Sequence, residues 1–194
     1  MSTLKGILFN QAATDAINGL IETLQTKYTK KKGRRFNSAN ITYEISRPHL
    51  NGNSLEFEIS SKIPQDEIKD DDEMKNYFLE IKNKVNSEKD KPVSIEMENI
   101  VWDSKKDSEK ERDYVKLLYS YPLDDLFNDK KVQDEYETVR NDPKEENLPQ
   151  STGAMTIAGG IVLKQVRETI YNFGLNHINQ LMEANKTIRA QLKK

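Results

Sequence analysis

The pair Asn51-Gly52, set between two runs of alternating apolar and polar residues, constrains this chain more than any other feature of its sequence. Upstream, Ile41, Tyr43 and Ile45 alternate with Thr42, Glu44 and Ser46; downstream, Leu55, Phe57 and Ile59 alternate with Glu56, Glu58 and Ser60. Period two places each apolar set on one face of a strand, and Asn-Gly accepts the positive φ that a tight hairpin turn demands. The two runs are therefore expected to pair antiparallel, with one apolar and one wet face. The same alternation returns in Val93, Ile95 and Met97 after Pro92, and in Val115, Leu117, Tyr119 and Tyr121, joined by the charged stretch 103–113 as a long hairpin tip.

Helical spacing marks the segments around these strands. Ala13, Ala16, Ile17, Leu20, Ile21 and Leu24 recur every three or four residues and predict a helix over 10–30, capped by Asn10 or Thr14 and stopped at Gly33 after the cations Lys30, Lys31 and Lys32. Met74, Tyr77, Phe78, Ile81 and Val85 predict a second helix over 74–86, with the acids from Asp66 to Glu73 at its positive end. Weaker periodicity covers 123–140, and Pro143 to Pro149 interrupts it. From Ala154 to Lys194 the stripe Val166, Ile170, Phe173, Ile178 and Leu181 predicts a long helix, bent or broken at Gly159-Gly160 and Gly174. The expected architecture is α+β: an antiparallel sheet of about four strands flanked by helices over 1–140, a linker at 141–153, and a C-terminal helical extension over 154–194. Because that linker would let the last helix leave the sheet, its stripe is expected to serve as an oligomer interface, docked on a neighbouring subunit or partner.

Composition narrows the function. Only 35% of the 194 residues are hydrophobic and 32% are charged, so the core is small and much of the surface is solvated or meets a polar partner. No stretch approaches the roughly 20 apolar residues that cross a bilayer, and Ile7-Leu8-Phe9 is too short for a signal-peptide core. The absence of cysteine excludes disulfide scaffolds and thiolate chemistry, and two histidines, His49 and His177, leave little for metal or triad sites. The net charge of −2 hides a segregation. Residues 1–50 carry eight basic and three acidic side chains, residues 151–194 six and two, and the middle, 51–150, carries 16 and 27. Basic ends can meet the acidic middle of a neighbouring copy, in a head-to-tail or ring assembly, or fold back on the middle of their own chain.

Catalytic motifs are absent. Gly153 to Gly160 lacks the Gly-Lys-Ser/Thr of a phosphate loop. Asp70 to Glu73 reads as a solvated helix start or a weak cation site, and Glu56, Glu58, Glu96 and Glu98 as strand-surface acids or paired carboxylates. His177 falls on the apolar side of the last helix, as a core or interface histidine. No enzyme, metal or cofactor is expected. The basic cluster Lys27, Lys30, Lys31, Lys32, Arg34 and Arg35, interleaved with Tyr28 and Phe36, stands out. Its cations suit phosphates and its rings can stack on bases; equally, it is a charged helix end that pairs with the acidic middle region.

The segment Lys30-Lys31-Lys32-Gly33-Arg34-Arg35, followed by Asn37-Ser38-Ala39-Asn40-Ile41-Thr42-Tyr43-Glu44-Ile45 and the Asn-Gly hairpin, resembles the small head–tail connector and tail-completion proteins of tailed bacteriophages. The element order over about residues 8–121 is similar to theirs; the acidic stretch 61–90, the 103–113 tip and the long last helix depart from it. That resemblance implies a non-enzymatic virion protein, assembled in the host cytoplasm, that forms a ring with copies of itself and contacts neighbouring structural proteins at the neck or tail. The competing expectation is a regulator that binds nucleic acid through the 27–36 cluster or mimics it through the acidic middle.

Overall fold

The computed structural model describes residues 4–101, 111–122, 124–125 and 153–194, and confirms the α+β class. The elements run α1 (Leu4–Lys27), β1 (Thr29–Lys30), β2 (Arg35–Ser38), β3 (Ile41–Ile45), β4 (His49–Asn51), β5 (Ser54–Lys62), a 3-10 turn (Gln65–Glu67), α2 (Asp71–Asn86), β6 (Ser94–Val101), β7 (Glu111–Pro122) and α3 (Gly153–Leu192). All strand pairs are antiparallel, in the order β1-β2-β3-β5-β7-β6, with β4 also on β5. Among the described residues the sheet therefore has seven strands instead of about four. The expected 123–140 helix and 141–153 linker lie outside the described residues, apart from the helical pair 124–125 and Gly153.

The Asn-Gly hairpin is present: Asn51 pairs with Ser54 across a two-residue loop, and Gly52 takes φ +58°. Upstream of it the strand is broken. Ile45 faces Ile59 and His49 faces Glu56, so Ser46, Arg47 and Pro48 oppose only Phe57 and Glu58. This is a β-bulge, which splits one long strand into β3 and β4 where Pro48 cannot donate to the ladder. Ser46 fills the gap, its N–H bonding Glu58 O at 2.9 Å and its Oγ accepting from Glu58 N at 2.8 Å.

The first helix starts earlier and stops earlier than the periodicity implied. Thr14 and Asn10 are not caps, because the helix extends back to Leu4 and the Thr14 hydroxyl bonds Asn10 O at 2.8 Å within it. Gly33 is not its stop either; Lys30 belongs to a strand and Gly33, at φ +69°, turns the chain between β1 and β2. Gln25 holds that turn, donating at 2.9 Å to both Gly33 O and Arg35 O.

One face of the sheet carries the core. Ile41, Tyr43, Ile45, Leu55, Phe57, Ile59, Val115, Leu117 and Tyr119 are all buried, as the alternation predicted, but Val93 is 63% exposed at the sheet edge and Ile95 is half-buried. The covering layer also differs from expectation. α1 packs along α3, α3 lies on β5, and α2 packs against α3. Val166, Ile170, Ile178 and Leu181 are at most 1% exposed, and Phe173 packs partly buried against the rings of Phe57, Tyr119 and Tyr121. The stripe expected to dock on another subunit therefore belongs to the chain's own core, because α3 packs against α1, α2 and β5 of the same chain.

Nor is α3 broken at its glycines, since a single helix spans Gly153–Leu192. At Gly174 the reason is contact with α1: an added Cβ would lie 2.9 Å from Leu20 Cδ2 and 3.1 Å from Ile17 Cδ1, both on fully buried side chains. Gly174→Val should lower stability by about 1–3 kcal/mol through overpacking. Gly19→Ala on α1, where a Cβ meets nothing within 4 Å, should instead raise it by roughly 0.5–1 kcal/mol. Urea denaturation of the two variants checks the contrast.

Candidate interaction surfaces

The six cations of the basic cluster separate into two structural groups. Arg34 and Arg35 are engaged in the fold. Arg34 Nε bonds Ile45 O at 2.8 Å, one terminal nitrogen bonds Asn18 Oδ1 at 2.7 Å and the other Ser46 O at 3.2 Å, so this side chain ties α1 to the start of the bulge. Burial, with Arg47 nearby, holds its pKa below the usual arginine range. Arg35 pairs with Glu44 across the β2–β3 ladder. Lys27, Lys30, Lys31 and Lys32 are exposed, and none forms an ion pair with a described residue.

Neither expected stacking ring is free on both faces. Phe36 is fully buried and stacks on Tyr43 at 5.3 Å and on Tyr28 at 5.7 Å between centroids. Tyr28, half-buried, ends this three-ring stack, with Lys27 Nζ 5.3 Å from its centroid.

The two outer strands of the sheet differ in charge. β1, two residues long, carries Lys30 and leads into Lys31 and Lys32. At the opposite edge β6 carries Glu96 and Glu98 on one face and Ile95 and Met97 on the other, with Val93 just before it, and no described strand lies beyond it. Met97 is 44% exposed, so the apolar face of β6 is open at its rim. Glu98 and Glu58 flank Lys116 at 2.5 and 3.2 Å, and these two hydrogen-bonded carboxylates raise the lysine's pKa, Glu98 contributing more. Of the strand acids considered for proton transfer, Glu58 and Glu98 thus form an ion cluster with Lys116 on the wet face of β5, β7 and β6, while Glu56 contacts His49 and Asn51.

A cleft of about 700 Å³ opens between the β2–β3 turn and the last turns of α3. Tyr28, Asn40, Asn179, Lys186, Arg189 and Lys193 are among its lining residues, and Tyr43 and Asn185 form its buried floor. The β2–β3 turn runs through Ala39 and Asn40, both at positive φ (50° and 65°), the two-residue pattern of a type I′ hairpin. Arg189 holds it in place by donating to Ala39 O while binding both carboxylate oxygens of Glu67, one at 2.8 Å. That pairing keeps the Glu67 carboxyl below the usual carboxylate range. On the floor, Asn185 accepts from the Tyr77 hydroxyl and donates to Tyr43 Oη and Ser61 Oγ, each at 3.3 Å. Nothing local in the sequence announces this cleft, because its walls are about 140 residues apart.

The remaining candidates are structural. His177 is buried, stacked on Tyr119 at 4.0 Å and bonded to Gln180 at 3.1 Å; burial holds the imidazole below the usual histidine range, and it is a core residue. His49 lies in β4, 3.6 Å from Glu56. Asp70 caps α2 by accepting from Glu73 N at 2.9 Å, and Glu73 returns a bond to Lys69 N at 2.8 Å, so this acidic run closes the helix start. Among the described residues no group of three acids or histidines is placed to hold a metal ion, and no helix is long and apolar enough to cross a membrane. Compared with protein-family models, curated proteins and solved structures, the chain matches none.

Proposed function

We propose that the protein is a non-enzymatic structural component that assembles head to tail with copies of itself, in the manner expected of a ring at the neck or tail of a phage particle. One observation carries the reading: the two outer strands of a single sheet are oppositely charged. An assembly in which the lysine-bearing edge of one copy meets the acidic β6 edge of the next is heterologous, and such contacts close into rings when the rotation permits. Exposed Val93 and Met97 add apolar area at the same edge, which a long unpaired strand otherwise leaves as a liability. The resemblance in element order to connector and tail-completion proteins supports the particle context, and assembly in the host cytoplasm belongs to the same proposal.

Size-exclusion chromatography with light scattering at low and high salt tests it. A salt-sensitive oligomer is expected. Lys30→Glu/Lys31→Glu/Lys32→Glu should reduce it to monomer, and adding Glu96→Lys should restore part of the assembly. A wild-type chain that stays monomeric at every salt concentration, alone and with neighbouring structural proteins, would refute the proposal.

A further inference from the structure

The two basic segments of the chain, far apart in sequence, form one cleft. All of its lining lies between Tyr28 and Tyr43 or between Asn179 and Lys193, and the acidic middle contributes none of it. We propose that this cleft binds single-stranded nucleic acid, with phosphates on Lys186 and Lys193 of its lining and on Lys27 beside it, and a base stacked on Tyr28.

The charges favour an anion. Lys193 forms no ion pair with a described residue, and Lys186, whose side chain is 77% exposed, has only a loose 3.7 Å contact with Glu183. Lys27 extends from the residue before Tyr28, over that ring. Arg189 is not counted among the ligand's partners, because Glu67 already neutralises it; its part is to fix the β2–β3 turn as one wall. The amides of Asn40 and Asn179 and the Tyr28 hydroxyl form no hydrogen bond with another described residue, which leaves neutral donors beside the cations.

Tyr28 decides between kinds of anion. It terminates the stack with Phe36 and Tyr43 and is approached by the exposed Lys27 ammonium, so a flat ring that moves this surface side chain aside extends the column without disturbing the core. Stacking on an aromatic ring together with cations that follow the backbone is how unpaired strands are held without regard to sequence, whereas an acidic peptide would make no use of the ring. The volume of about 700 Å³ admits a few nucleotides. This proposal is independent of self-assembly, since it uses Lys27, Lys186 and Lys193 in place of the edge lysines 30–32.

Fluorescence anisotropy with a labelled twelve-residue thymidine oligonucleotide provides the test. Three phosphate contacts on a single strand, at a slope of about −0.7 each, predict binding that weakens roughly twentyfold between about 50 and 200 mM salt. The variant Lys27→Gln/Lys186→Gln/Lys193→Gln, checked for an unchanged thermal transition, should bind about tenfold or more weakly and with a flatter salt dependence. Tyr28→Leu should weaken binding with the salt slope retained. Lys31→Gln/Lys32→Gln should leave affinity nearly unchanged. No binding at low salt, equal losses from both lysine sets, equal affinity for duplex, or displacement by polyglutamate as effective as by the oligonucleotide would each overturn the proposal. Light scattering on the same variants reports self-assembly separately.

Discussion

Deleting residues 154–194 should unfold the protein. Val166, Ile170, Ile178, Leu181 and Ile188 are each at most 2% exposed, and burying a side chain of this size contributes about 1.5–3 kcal/mol. Losing all five removes an amount comparable with the whole stability of a typical domain, about 5–15 kcal/mol. The truncation also uncovers Leu20 and Ile17 on α1 and the rings of Phe57 and Tyr119 on the sheet, so the remaining chain should be insoluble or molten. Circular dichroism and heteronuclear NMR of the shortened chain check this. A soluble, cooperatively folded 1–153 fragment would mean that α3 is an appendage after all.

Asn185→Leu is expected to be the most damaging single substitution, at about 2–5 kcal/mol. Asn185 is 1% exposed and is the shared partner of Tyr77, Tyr43 and Ser61. An apolar replacement leaves three buried polar groups without that partner, each at about 1–3 kcal/mol before relaxation. Much of the loss should return in Asn185→Leu/Tyr77→Phe, because removing both partners of a buried bond costs far less than removing one. Equilibrium denaturation of the two single variants and the double variant gives the coupling. Additive losses would show that Asn185 acts by packing alone.

Local pattern revealed the parts of this fold whose signal is local. The Asn51-Gly52 turn, the α1 stripe and the alternation of β5 and β7 each depend on neighbours within a few residues. β1 and β2 went unseen because Phe36 is the only apolar residue of β2 and their polar positions look like a helix end. The β2–β3 turn was silent because Ala39-Asn40 contains no glycine, although it adopts the conformation glycine favours. Periodicity named the apolar stripe of α3 but could not name its partner, since a stripe specifies a face and not what covers it. The site was less legible still. Arg34 and Lys31 look alike in a basic run, and only the bulge at Ser46 and the carbonyl of Ile45 make one a structural clamp while the other stays in solvent. Of the two readings open for the acidic residues 70–73, the helix start is the one found, and it is legible because capping is itself a short-range pattern.

The pairing of α1 with α3 sets the order in which this chain can become a protein. Gly174 rests against Ile17 and Leu20, and Tyr171 bonds Thr23 at 3.3 Å, so the first helix finds this partner only after the long stretch between them has been synthesised. At about 5–20 residues per second, ~150 residues of translation separate the two for roughly 7–30 s. During that interval the face of Ala13, Ile17, Leu20 and Leu24 lacks the cover that α3 provides. Contacts of such sequence separation also slow the search, because loop closure precedes any gain from burial. A nascent chain therefore carries an adhesive α1 face until α3 has been made. If the proposed self-assembly holds, this closure separates folding from assembly in time: α1 and the sheet are locked together only after α3 has been made.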